Sequence, residues 1–159
     1  MVDGQAAVTL DNDNYNSDSY GFGVSSGGFL YGGTSGYSGQ VLWKIAPDGS
    51  RTAAGGVFNS LALVSGSSAE ATSLTYPTGV AIIGSTAYVV SSSRHDLRAV
   101  NLQTGAVSLL AGTSGTFGSA DGTGSGASFR SPTRIATDGT NLYVWDSGNR
   151  TIQIGRAHV

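Results

Sequence analysis

The residues best spaced for chemistry lie in two short stretches, and each fails a specific test. AGTSGTFGSADGTGSGASF, residues 111–129, alternates glycine at Gly122, Gly124 and Gly126. Such a run can cradle a phosphate when it follows a strand and opens a helix, with a Lys-Ser/Thr pair or a later ribose-binding acid. Here Ala-Ser-Phe-Arg-Ser-Pro follows Gly126 and no helical periodicity comes after it, so a phosphate site is not expected. LDNDNYNSD carries Asp11, Asp13 and Asp18 in the manner of a calcium loop. Tyr15 occupies the third ligand position, however, and neither the turn glycine nor the closing Glu stands at its place. A solvated loop is the expectation, with no metal and no cofactor.

Catalytic groupings are equally sparse. The chain has two histidines, His95 and His158, and no cysteine. His95, beside Arg94 and Asp96, reads as a surface residue of a strand-connecting loop. No Ser-His-Asp arrangement or isolated acid pair stands out, so no catalytic residue is nominated. The net charge is −2, and the eight Lys and Arg residues are scattered, which argues against nucleic acid as a partner. No apolar stretch approaches the roughly 18 residues that span a bilayer. The start, MVDGQAAVTL, has neither a basic segment nor a long apolar run, so it does not read as a signal peptide.

The elements that must position these residues emerge from an internal repeat. YPTGVAIIGSTAYVVSSSRHDLRAV from Tyr76 and SPTRIATDGTNLYVWDSGNRTIQI from Ser131 align without a gap when slid by 55 positions. Pro77 falls on Pro132, Ala81 on Ala136, Tyr88 on Tyr143, Val89 on Val144 and Leu97 on Ile152. A looser copy begins at Gly21, with Tyr31 lying 57 positions before Tyr88 and Ala54-Gly55 lying 57 before Ala111-Gly112. The second copy predicts four strands, Gly79–Ile83, Thr86–Ser91, Asp96–Asn101 and Val107–Ala111, separated by turn residues. Thr86–Val90 is apolar at nearly every position, as suits a strand covered on both faces. With 25 glycines and 11% charged residues, the expected fold class is all-β. Four-stranded antiparallel units at this period point to an open β-propeller of about two and a half to three blades.

SLLAGTSGTFGSADGTGSGASFRSPTRIATDGTNLYVWDSGNRTIQ resembles an NHL repeat. A Leu-Ala-Gly ending (Leu110, Ala111, Gly112) and an Asp121-Gly122 linker lead to Ala127-x-Phe129, then Pro132, Leu142-Tyr143-Val144-x-Asp146 and Asn149-x-x-Ile152. The second copy fits less closely, with Ser91 in place of the Asp, and the first lacks the Pro. The resemblance implies that the Gly-rich stretch connects one blade to the next and that Phe129 plugs the gap between them. It also implies that Asp146 and Asn149 bond to nearby backbone and fix a turn. With Pro77, Tyr88, Pro132 and Tyr143, these are the residues expected to build the repeat. The blades are expected at 20–56, 77–112 and 132–154, with linkers at 57–76 and 113–131. Residues 1–19 would hold the last strand of a preceding blade and a polar loop. Residues 155–159 break the repeat, and one codon choice for Gln153–Val159 spells a sequencing-library adaptor, so this tail is suspected to be non-native.

The function implied is a non-catalytic binding or scaffold module for a protein or small-molecule ligand, in an extracytoplasmic bacterial protein. Further blades of the same chain would be partners. The alternative is part of a propeller lyase or lactonase whose catalytic residues lie in other blades. One departure from the pattern singles out a site: PTGVA at Pro77 becomes PTRIA at Pro132, placing Arg134 where Gly79 stood. Arg134, with Thr78 and Thr133 beside the same strand entrances, is the candidate ligand-binding group, and an anion is the candidate ligand. The competing expectation pairs Arg134 with Asp121 or Asp138.

Overall fold

A computed structural model describes residues 18–25, 27–36, 39–58, 74 and 76–156. Asp11, Asp13 and His158 lie outside these residues. Among the described residues, eleven strands form three antiparallel sheets. The first comprises β1 (Asp18–Val24), β2 (Leu30–Gly36), β3 (Gly39–Ile45) and β4 (Arg51–Phe58). The second comprises β5 (Pro77–Ile83), β6 (Thr86–Ser91), β7 (Asp96–Asn101) and β8 (Val107–Ala111). The third comprises β9 (Pro132–Thr137), β10 (Asn141–Asp146) and β11 (Thr151–Arg156). Each sheet is a meander in which sequential strands pair. The only helical element among the described residues is a single 3-10 turn at Gly124–Gly126.

Alternation along β6 shows what stacks the sheets. Ala87 and Val89 point into an apolar cluster with Tyr31 and Leu42 of the first sheet. Tyr88 and Val90 point the other way, into a cluster with Leu142 and Val144 of the third. Successive side chains of a strand face opposite sides of its sheet, so a strand lying between two neighbours must be apolar throughout. Phe129, 3% exposed, fills the second cluster. Leu74, 55 positions earlier and 1% exposed, fills the first. The repeat therefore places one plug residue just before each inner strand, as the alignment of SLTYP with SFRSP requires.

The first strands of the sheets, β1, β5 and β9, lie side by side. A side chain at Gly23 would meet the Val80 carbonyl at 3.1 Å, and one at Gly79 would meet the Arg134 Cα at 3.0 Å. Antiparallel sheets stacked face to face, with their first strands gathered at one edge, make an open arc of a β-propeller. Tyr31, Tyr88 and Tyr143 occupy the second strand of their respective sheets.

Two details differ from the sequence expectations. Leu42 pairs with Gly55 and Leu97 with Ala111, while the left-handed glycines that follow are Gly56 and Gly112. The strand ending thus repeats at 56 positions, because Gly55-Gly56 takes the place of Ala111-Gly112. In the third sheet β11 runs on beyond Ile154: Gly155 pairs with Leu142 and Arg156 with Asn141. A ladder uses backbone groups, so leaving the consensus does not end the strand.

The packing yields two expected outcomes. Phe129→Ala removes a plug shared by two sheets and should cost about 3–5 kcal/mol, read by chemical denaturation. The Tyr88 hydroxyl is buried with no hydrogen-bond partner among the described residues, since Ile83 occupies the repeat position that Asp138 holds beneath Tyr143. Tyr88→Phe should therefore raise stability by about 1 kcal/mol. A loss of that size would show that the hydroxyl has a partner.

Candidate functional site

Antiparallel pairing brings one set of loops to a common end of the arc. The starts of β5 and β9, the β6–β7 and β10–β11 turns and the linker from Gly112 to Ser131 all meet there. Two buried carboxylates organise it. Asp146, fully buried, accepts the Arg130 backbone N–H at 2.8 Å through Oδ1 and the Asn149 amide at 2.7 Å through Oδ2. Asn149 in turn donates to the Gly118 carbonyl at 2.6 Å. These residues hold their own turn, through the Asn149 N–H to the Asp146 carbonyl at 3.2 Å, and also fasten the incoming linker. In the second sheet, where Ser91 stands at the Asp146 position, Asp96 instead pairs with Arg98 at 2.9 Å, and Arg98 reaches Ser114 in the linker at 3.3 Å. A buried charge must be paired, and here both partners are almost wholly out of solvent.

His95 is not a free surface residue. Half-buried, it accepts the Ser131 N–H at 3.0 Å through Nδ1 and meets the Phe117 ring edge-on at 5.8 Å. The Arg130 guanidinium lies over the same ring at 5.3 Å. Phe117 is 63% exposed, so an arginine and an aromatic face are presented together. Backbone strain accompanies these positions. Tyr76 and Ser131 before the two prolines, and His95 and Arg150 closing the two turns, all adopt left-handed φ of 47–59°. The same two positions are left-handed in consecutive repeats without glycine, which marks them as imposed by the fold.

The sequence-nominated residues divide. The Thr78 hydroxyl donates to the Pro132 carbonyl at 2.9 Å, so it joins the second sheet to the third. Thr133, its repeat partner, makes no such bond among the described residues. Arg134 is exposed and stands opposite Trp145 in the β9–β10 ladder. It pairs with neither Asp121 nor Asp138. The Asp138 carboxylate instead accepts Thr140 N–H, Asn141 N–H and side-chain amide, and the Tyr143 hydroxyl. The Asn141 bonds, with those from Thr140 and Tyr143, hold it well below the usual carboxylate range. The bond to Asp138 likewise raises the Tyr143 phenol. This Asp138 cluster lies at the opposite end of the sheet from Arg134.

An apolar groove of about 380 Å³ runs between the second and third sheets, lined by Leu97, Leu110, Phe129, Leu142 and Ile154. Gly155 stands there at the repeat position of the fully buried Val100, which accounts for part of the space. Thr123, Gln153 and Arg156 add polar groups to its lining.

No family model matches the chain, and no curated protein does. Solved structures do. The chain resembles a structural genomics protein of unknown function from Bacteroides thetaiotaomicron, with TM-score 0.64 and 24% identity over 80% of this chain and 32% of that one. It also resembles an auxiliary nutrient binding protein from the same organism, with TM-score 0.68 and 18% identity over 94% and 39%. A further auxiliary nutrient binding protein, from Bacteroides ovatus, gives TM-score 0.61 and 17% identity over 87% and 34%. At these identities the likeness is one of fold. The chain spans less than two-fifths of the length of each of these proteins.

Asp146→Ala should cost about 2–3 kcal/mol, because it strands the Arg130 N–H and the Asn149 amide. Hydrogen exchange checks the mechanism: the Arg130 amide should lose protection before the β6 amides do. Loss of protection everywhere at once would make Asp146 a general core residue instead.

Proposed function

We propose that this chain is part of an NHL-type propeller that binds an anionic ligand at the linker-bearing end and performs no catalysis. The observation that carries the reading is the charge at that end. Arg130, Arg134 and Arg150 are exposed and belong to the segments that meet there, while Asp96 and Asp146 are buried and bonded within the protein. Asp121 is the one exposed carboxylate among the described side chains of that end. The chain as a whole is net negative, so this is a separation of charge and not general basicity. Guanidinium groups recognise carboxylate or sulfate by charge-assisted hydrogen bonds. Exposed Phe117, with Arg130 above it, adds an apolar face for the body of a ligand.

The names of the two nutrient binding neighbours support binding over catalysis, as does the absence of an acid–base pair among the described residues of this end. The NHL resemblance of the Leu110–Ile152 stretch supports the class, and with it a bacterial, extracytoplasmic setting. A nutrient that carries acid groups, such as a uronic-acid saccharide, fits both the charge and the apolar surface.

Affinity electrophoresis tests the reading. The chain should be retarded by polygalacturonate and not by neutral dextran, and salt should abolish the retardation. Arg130→Ala combined with Arg150→Ala should remove most of it. Equal mobility in both polymers would overturn the proposal.

A further inference from the structure

Asp-Gly pairs stand at Asp3, Asp48, Asp121 and Asp138, of which Asp3 lies outside the described residues. The dipeptide is chemically vulnerable because glycine has no side chain to shield its own nitrogen. That nitrogen can attack the side-chain carboxyl carbon of the preceding aspartate and close a ring. Cyclisation has two local requirements. The glycine N–H must be free of other bonds. The carboxyl must be free to turn and to take up the proton with which it leaves as water.

Two of the described pairs meet neither requirement. In the β3–β4 turn the Gly49 N–H donates to the Ala46 carbonyl at 2.9 Å, and the Asp48 carboxylate accepts the Ser50 N–H at 2.9 Å. In the β9–β10 turn the Gly139 N–H donates to the Thr137 hydroxyl at 3.0 Å. The Asp138 carboxylate there is held by Thr140, Asn141 and Tyr143. The bonds from Ser50 in one turn, and from Asn141, Thr140 and Tyr143 in the other, keep both carboxyls ionised below the usual range. An ionised carboxylate does not lose water.

The pair in the linker differs on each count. Asp121 is exposed, and its carboxylate has no hydrogen-bond partner among the described residues. The Gly122 N–H donates to no described residue either. Bonded chain flanks the pair on both sides. The Ala120 N–H donates to the Ser128 hydroxyl at 2.8 Å and the Ser128 N–H to the Ala120 carbonyl at 2.9 Å, while the Gly126 N–H donates to the Thr123 carbonyl at 3.0 Å. The Asp121–Gly122 peptide is thus an unbonded link between two fastened stretches.

We propose that Asp121–Gly122 is a site of spontaneous modification, where this chain converts aspartate to isoaspartate. The Gly122 nitrogen bonds to the Asp121 Cγ, and its proton leaves with the carboxyl hydroxyl as water, giving a succinimide. Water then adds to the main-chain carbonyl of that ring and breaks its bond to the Gly122 nitrogen. The chain now runs through the Asp121 Cβ and Cγ, and a carboxylate remains on Cα. One water is lost and one regained, so no co-reactant is needed. The charge is unchanged, but the main chain gains a methylene. A side chain on Gly122 would already meet the Gly126 carbonyl carbon at 2.6 Å, so there is little room for the added length. The strain falls on the clasp to Ser128, between the buried Ala127 and Phe129. This inference is independent of the anion-binding reading.

Prolonged incubation of the chain near neutral pH, below its melting temperature, tests the proposal. Peptide mapping with electron-transfer fragmentation then locates isoaspartate. Asp121 should carry roughly tenfold or more the level at Asp48 or Asp138, since each of those must first break two hydrogen bonds. In concentrated urea the three should reach similar levels. Equal levels in the folded chain would overturn the proposal. The same ranking in urea would trace the preference to local sequence and overturn the structural argument. For the consequence, the aged parent should show a fraction melting roughly 4 °C lower that equally aged Asp121→Glu lacks. Identical melts, with isoaspartate present at Asp121, would overturn the strained linker.

Discussion

A strand that is apolar on both faces cannot be satisfied by one neighbour, and the architecture follows from that constraint. Thr86–Ser91 places Val89 against the first sheet and Tyr88 and Val90 against the third. Burial of a side chain of this size stabilises by about 1.5–3 kcal/mol, so leaving either face of the middle sheet in water would be costly. Stacking is the solution available to a chain of meanders. The plugs Leu74 and Phe129 close the wedge-shaped spaces that twisted sheets leave between them. Glycines let the first strands converge at the narrow edge.

The polar interactions are subordinate to this stacking but decide how the linkers run. Each linker must cross from the last strand of one sheet to the first strand of the next, and its backbone needs partners on the way. The second and third sheets hold the one described linker, from Gly112 to Ser131, by different means. In the third, Asp146 and Asn149 accept from and donate to linker backbone. In the second, the Asp96–Arg98 pair reaches Ser114. Both put a buried, charge-bearing group beneath the linker-bearing end, and both remove carboxylates from its surface. The arginines that remain exposed there are what give that end its character.

Much of the fold was legible from spacing. The 55-residue slide aligned Tyr88 with Tyr143, and three of the four strands expected in the second copy have the observed limits. The fourth begins earlier, at Pro77, because a bulge at Thr78 brings the proline into the ladder opposite Ser91. Leu74 escaped notice, although SLTYP aligns directly with SFRSP. Its partner is an aromatic in a conspicuous motif, and leucine in a polar stretch is not. The Asp96–Arg98 pair was invisible for a different reason: it occupies positions that in the other sheet hold Thr151 and Gln153, so no repeat signal marks it. His95 looked like a surface residue because its partner, the Ser131 N–H, is distant in sequence and belongs to backbone. Arg134 was legible as a departure from glycine. Its contact with the neighbouring first strand needs the structure.

The central claim is that each sheet is completed by side chains of the next. The most direct measurement is the set of NMR contacts made by the Phe129 ring. Stacking predicts nuclear Overhauser contacts from that ring to at least one of Tyr88, Val90 and Leu97 in the second sheet, and also to Leu142 or Val144 in the third. Contacts confined to one sheet, with the other set missing, would contradict the account.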